Sequence, residues 1–299
     1  MAEAEGNVEA RNYGIGIPQK QDAFFLKGSN SLDWGMKNRL ARVFNPASGH
    51  TVMLAFDHGY FLGPTSGLER LDLSIVPLVP YTDVLMCTRG ALRACIPPDA
   101  GKAVCLRMSA GVSILKELSN EVLGVAIEDA VRLNASAITT QAFIGGEYEK
   151  ETLDNLSRLI NAGLARGIPT LAVTAVGRDM VRDARYLGLA TRICAELGAH
   201  FVKTYFSAEG FERVTSACPV PIVIAGGKKV AEEDALRMAY QAIDQGAAGV
   251  DMGRNIFQSD HPIAMIQAVR AVVHEGKTDQ EALELYRDLA AAEPAGAKA

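Results

Sequence analysis

Eight short runs of β-branched and aliphatic residues recur along this chain, and the stretches between most of them carry a helical period. The runs are Thr51–Phe56 (TVMLAF), Asp83–Thr88 (DVLMCT), Ala103–Met108 (AVCLRM), Ser136–Phe143 (SAITTQAF), Pro169–Thr174 (PTLAVT), His200–Tyr205 (HFVKTY), Pro221–Ala225 (PIVIA) and Val250–Gly253 (VDMG). Amphipathic stretches at Glu149–Ala165, Arg185–Leu197, Glu232–Gln245 and Pro262–His274 lie between or after them. Several close on a glycine stop before the next run, in AGLARGIPT, AELGAHF and DQGAAGV. Strands that alternate with helices pair in parallel, because the right-handed crossover brings each strand back beside its predecessor. Eight such units suit a closed barrel better than an open sheet. No GxGxxG follows the first run, where a dinucleotide-binding fold needs it. The expected class is therefore α/β, a (β/α)8 TIM barrel with an N-terminal extension.

At 299 residues the chain accommodates one such barrel and little else. The expected division is an arm and capping helix at 1–48, the helix being Asp33–Asn45, a barrel at 49–289 and a flexible tail at 290–299. Val112–Ile127, inside the third connection, reads as an extra helix or a lid. Net charge is −5, and Lys and Arg are scattered rather than gathered into a stripe, which argues against nucleic acid. A phosphorylated metabolite stays open, since backbone N–H groups can hold a small phosphate whatever the overall charge. The five cysteines show no CxxC spacing, there is no leader-like N-terminus, and no apolar run is long enough for a membrane span. Buried free thiols and a cytoplasmic location are expected.

In barrels of this type the active site lies at the C-terminal ends of the strands. Lys203 stands inside the apolar run HFVKTYF. Burial penalises its ammonium and favours the neutral amine that attacks a ketone. A snorkelling or ion-paired lysine is the plainer reading. Asp57 and His58 end the first run in AFDHG: the carboxylate can act as acid or base, or pair with Lys203 across the barrel, and the imidazole can shuttle protons. Their plainer roles are turn capping and packing. Gly226 and Gly227 (IAGGK) follow the seventh run, Gly253 and Arg254 (DMGRN) the eighth, the two places where barrels often bind phosphate. Thr174 ends the fifth run and is a candidate substrate contact. Arg89 and Arg107 end the second and third, able either to line a pocket or to close an ion pair. Cys87 reads as a core thiol rather than a nucleophile. No HxxxH or paired-carboxylate motif supports a metal.

Taken together, AFDHGYFLGP, VLMCTRG, VKTYF, PVPIVIAGGKK and GVDMGRNIFQSDHP resemble the DhnA-type class I aldolase family over nearly the whole chain. SLDWGMKNRLARVFNP is similar to its thiolase branch in particular. The resemblance implies a TIM barrel, a Schiff base at Lys203 and phosphate held by the Gly226–Gly227 and Gly253–Arg254 turns. It also implies a homo-oligomer, often a decamer, with no permanent cofactor. The implied reaction is an acetyl transfer from a phosphorylated hydroxy-diketone to coenzyme A, as co-substrate, in autoinducer-2 breakdown. Alternatives are a class I aldolase acting on another phosphorylated sugar and a non-catalytic sugar-phosphate binder. Aldolases of the family that cleave fructose 1,6-bisphosphate place a tyrosine after the fifth strand, whereas this chain reads VTAVGRD there, which favours the thiolase.

Overall fold

The computed structural model describes residue 16 and residues 23–176 and 183–292. Eight parallel strands close a barrel: β1 (Thr51–Ala55), β2 (Val84–Cys87), β3 (Ala103–Arg107), β4 (Ala137–Ile144), β5 (Thr170–Val176), β6 (Phe201–Tyr205), β7 (Ile222–Ala225) and β8 (Gly249–Met252). Each pairs with its neighbours in sequence, and β8 closes on β1. Each expected run holds one strand, and the four expected helices form at Glu149–Leu164, Ala184–Glu196, Glu232–Asp244 and Pro262–Glu275. The last helix, Asp279–Ala292, continues through the first residues of the expected tail, and 293–299 lie outside the described residues, as does most of the arm.

Parity along the strands decides which side chains can reach the site. Met53, Met86, Cys105, Ala137, Leu171, Phe201 and Val223 form one buried cluster inside the barrel. The alternate residues, among them Val52, Leu85, Leu106, Ile138, Ala172, Val202 and Ile224, pack outward in a second cluster with the helices. Burial on both faces explains why the strands read as continuous apolar runs. By the same alternation, Asp57, Arg107, Gln141, Lys203 and Asp251 share the inward parity.

The N-terminal extension plugs one end of this interior. Helix α1 (Trp34–Val43) starts where the Asp33 carboxylate accepts from the Met36 N–H at 2.8 Å, an N-cap worth about 1 kcal/mol. Met36, Leu40, Val43 and Phe44 join the inner cluster. The Phe44 ring meets that of Phe201, the first residue of β6, edge-on at 5.4 Å. The end where the strands begin is thereby closed with hydrocarbon, and polar chemistry is left to the other end.

The third connection differs from the expected helix. Ser109–Gly111 pairs antiparallel with Glu121–Leu123, and a helix forms only at Ile127–Arg132. Gly111 permits the close approach: a Cβ there would stand 2.8 Å from the Asn120 carbonyl oxygen. The hairpin folds over the C-terminal end of the barrel, so the lid half of the expectation fits its position and the helix half does not.

Candidate active site

A cavity of about 330 Å³ opens at the C-terminal ends of the strands, with Asp57, Tyr60, Arg107, Lys203, Asp251 and Arg254 in its wall. Lys203 sits one turn of the pleat beyond Phe201 and is 8% exposed. Its Nζ lies 3.0 Å from Asp251 Oδ2 and 3.7 Å from Met86 Sδ. Asp251 is fully buried, and burial pushes its carboxyl above the usual range despite the pull of the Lys203 ammonium. A carboxyl in this state can hold or release a proton beside the amine.

The expected pairing of Asp57 with Lys203 is not what forms. Asp57 lies just past β1, three strands round the barrel from β6, whereas Asp251 on β8 is two strands away and occupies the contact. Asp57 Oδ2 instead accepts from Arg107 Nη1 at 3.3 Å. Asp251 was legible as an isolated acid in the apolar run GVDM, at the same parity as the lysine. Read only as part of a phosphate turn, it was missed.

His58 begins a four-residue helix, Gly59–Leu62, and its ring stacks on Phe257 at 5.9 Å. Burial is the main cause of its lowered pKa, with Arg254 and Lys203 adding to it and Asp57 opposing. The imidazole is therefore neutral at pH 7, and its Nε2 is buried without a hydrogen-bond partner among the described residues. That is the state of a proton acceptor awaiting a donor.

Arg107 divides from Arg89 sharply. Arg89 pairs with Asp129 at 2.5 Å, its side chain 43% exposed, outside the cavity. Arg107 is 2% exposed and lies inside. Burial opposes its charge, but Glu121, Tyr60 and Asp57 hold it firmly protonated. Its Nη2 donates to Glu121 Oε1 at 2.9 Å and to the Tyr60 hydroxyl at 2.5 Å. Tyr60 in turn donates to Glu121. Ser109 donates to the second Glu121 oxygen at 2.8 Å, and the Gln141 amide oxygen accepts from Arg107 Nη2 at 2.5 Å. Burial raises the Tyr60 pKa, so the phenol keeps its proton. The fifth-strand stretch without tyrosine ends at residues outside the described set; Tyr60 enters the cavity from the short helix after β1 and Tyr205 from the end of β6. Glu121 was invisible in sequence because it reaches the site only through the unexpected hairpin.

The two glycine turns come together. Asn255 ties them, donating to the Gly226 carbonyl at 2.6 Å and accepting from the Val230 N–H at 2.9 Å. A Cβ on Gly253 would stand 2.2 Å from the Ala55 carbonyl, so only glycine lets β8 turn here beside β1. Gly227 has φ +70 with open space around it. Arg254 lines the cavity beside them. Thr174 also borders it, but has the outward parity, and its hydroxyl donates to Thr204 Oγ1 at 2.8 Å. Cys87 is fully buried on the outward face, and burial pushes its thiol up, as befits a core residue.

Comparison with known proteins places this geometry in context. The chain is 60% identical to an uncharacterized aldolase of Pasteurella multocida over 96% of its own length and 99% of the relative's. It is 59% and 60% identical to proteins of Photorhabdus laumondii and Yersinia pseudotuberculosis named 3-hydroxy-5-phosphonooxypentane-2,4-dione thiolase, covering 96% of this chain and 98% of each. Among solved structures, a Schiff base forming fructose-1,6-bisphosphate aldolase superposes with TM-score 0.72 at 25% identity, over 80% of this chain and 99% of that one. An archaeal fructose 1,6-bisphosphate aldolase, 24% identical, shares the fold with TM-score 0.72 over 81% of this chain and 100% of its own. The model of the DeoC/LacD family aldolases matches residues 51–259, from the first residue of β1 to just beyond the Gly253–Arg254 turn. With that match spanning the whole barrel sheet, the chain belongs to the DeoC/LacD family of aldolases.

Proposed function

We propose that this enzyme cleaves 3-hydroxy-5-phosphonooxypentane-2,4-dione with coenzyme A, giving dihydroxyacetone phosphate and acetyl-CoA. The observation that carries the reading is Lys203: a buried amine on the inner wall of the barrel, paired to one raised carboxyl, in a chain about 60% identical to proteins named for that reaction. Phosphate at the Gly226–Gly227 and Gly253–Arg254 turns, beyond β7 and β8, sets the neighbouring ketone towards Lys203 on β6. The amine adds to that ketone and water leaves, forming an iminium. The thiolate of coenzyme A adds to the acetyl carbonyl. The carbon–carbon bond then breaks, its electron pair passing into the iminium to form an enamine. A proton returns to the enamine carbon, and water releases the ketone from the lysine.

In this reading Asp251 moves the protons of iminium formation, while Asp57 and His58 serve the cleavage end. Thr174 holds the wall rather than the substrate. The division into an arm and helix at 1–48, a catalytic barrel at 49–289 and a tail from 290 is part of the proposal, as are a cytoplasmic homo-oligomer and a place in autoinducer-2 breakdown. An aldolase acting on another sugar phosphate is the competing reading, supported by the 25% identical Schiff-base aldolase. Mass spectrometry of products from the phosphorylated pentanedione, with and without coenzyme A, separates them. Acetyl-CoA and dihydroxyacetone phosphate appear only with coenzyme A if the reading holds; cleavage without it overturns the thiolase in favour of the aldolase.

A further inference from the structure

The wall opposite the phosphate turns holds a charged cluster that Schiff-base chemistry does not use. Arg107 ends β3 and Gln141 lies on β4, which face β7 and β8 across the eight-stranded ring. A substrate anchored by phosphate at β7 and β8, with its ketone at Lys203, extends its acetyl group towards this wall. The guanidinium there is 2% exposed, and its Nε–H is buried without a hydrogen-bond partner among the described residues. A buried donor left open in this way costs stability unless something fills it, and points to an acceptor that arrives with substrate.

Charge refines the assignment. Two carboxylates, Asp57 and Glu121, face one guanidinium at 3.3 and 2.9 Å. That is one negative charge too many to receive an anion. The balance becomes neutral once the cluster accepts a proton, and a thiol must lose one to become a nucleophile. We propose that Arg107, Tyr60 and Glu121 form the acetyl-transfer subsite, in which Glu121 takes the thiol proton and the Arg107 and Tyr60 donors hold the acetyl oxygen as it becomes an oxyanion. The sulfur–carbon bond forms as the carbonyl π pair moves to that oxygen. The carbonyl re-forms as the acetyl carbon releases the hydroxylated carbon, whose electrons pass to the Lys203 iminium. The enamine carbon takes its proton from the Asp57 and His58 side, and Glu121 passes the thiol proton to water, so protons balance over the cycle.

This assignment rests on the proposed thiolase reading, and a half-reaction separates the two. Dihydroxyacetone phosphate carries no acetyl group, yet its iminium at Lys203 should exchange a carbon-bound hydrogen for deuterium in D2O. Tyr60→Phe and Glu121→Gln should lower coenzyme A-dependent cleavage by about 10²-fold or more while exchange stays within about threefold of wild type. If cleavage is unchanged, or exchange falls in parallel with it, the cluster is scaffolding and the assignment is overturned. If the wild-type protein itself exchanges but gives no acetyl-CoA, the thiolase reading fails and takes the subsite with it. A wild-type enzyme that cleaves beside variants with an unchanged ratio overturns the subsite alone.

Discussion

Asp83 and Asp251 are the same side chain at opposite ends of one barrel, in contrasting surroundings. Asp83 directly precedes β2, at the end plugged by α1. It accepts from the Val52 N–H at 2.7 Å, from His274 Nε2 at 2.8 Å and from Arg270 Nη1 at 3.0 Å. Ser48 Oγ lies 2.8 Å from the other nitrogen of His274. Burial alone would raise the Asp83 carboxyl, but these hydrogen bonds hold it below the usual range. Asp251, on β8 at the open end, is more deeply buried, has Lys203 as its ionic partner, and is pushed up. Of these two, Asp83, held by three donors, stabilises the fold. Asp251, short of partners, is destabilised as an anion, and the proton it can exchange is what chemistry at the lysine needs. The Ser48–His274–Asp83 line has the outline of a nucleophilic triad, yet it sits at the closed end, where barrels keep their scaffolding.

The largest effect should come from Lys203→Ala, which should abolish both cleavage and borohydride trapping of dihydroxyacetone phosphate while the circular dichroism spectrum is kept. Substantial residual turnover would remove the Schiff base from the mechanism. Next come the two aspartates as a matched pair. Asp251→Asn should lower turnover by about 10²- to 10⁴-fold, as loss of a positioned proton-transfer group does. Asp83→Asn should leave turnover per folded molecule near wild type but cost about 3 kcal/mol in denaturant unfolding, the scale for breaking a buried ion pair. The contrast between the two ends fails if Asp83→Asn lowers turnover as much as Asp251→Asn does.

Acid titration sharpens the same contrast. The Asp83 pKa in the folded state lies below its reference value of 3.8, so its contribution is fully present above that value and is lost as pH falls through the folded pKa. Asp251 is raised, so its cost to the folded state is absent below 3.8 and sets in as pH climbs through the raised pKa. Unfolding free energies should therefore fall less steeply towards acid in Asp83→Asn than in wild type. Equal slopes would show that the hydrogen bonds around Asp83 contribute nothing to acid stability. The smallest effect concerns the strand-end arginines. Arg89→Ala removes an exposed pair with Asp129 and should change stability by about 1 kcal/mol or less, with kinetics unchanged. A kinetic defect there would place Arg89 in the site, against its position in the structure.

Much of the fold was legible because the signals that encode it are local. Each strand is buried on both faces and so reads as an apolar run, and glycine stops separate helices from strands. The hairpin at Ser109–Leu123 was not legible, because its strands are three residues each and its pairing depends on the close approach at Gly111 rather than on any period. In the candidate site, residues on strand ends were readable once the barrel was inferred: Lys203, Asp57, His58, Arg107 and the two glycine turns all border the cavity. Their partners were not. Pairing Lys203 with Asp251 rather than Asp57 depends on angular separation around a closed sheet, which no linear spacing reports. Glu121 reaches Arg107 only through the hairpin, and Tyr60 only through the four-residue helix after β1.

The sequence by itself determined the eightfold repeat, the end of the barrel that carries chemistry, and the lysine in an apolar strand. These follow from period, parity and the cost of burying a charge, all properties of neighbouring residues. The tertiary structure decided which acid faces the lysine, how two carboxylates share one arginine, and which groups are left with an open hydrogen-bonding position. Those depend on closure of the ring, where residues distant in sequence meet in a medium of low polarity and every missing partner shifts a proton equilibrium.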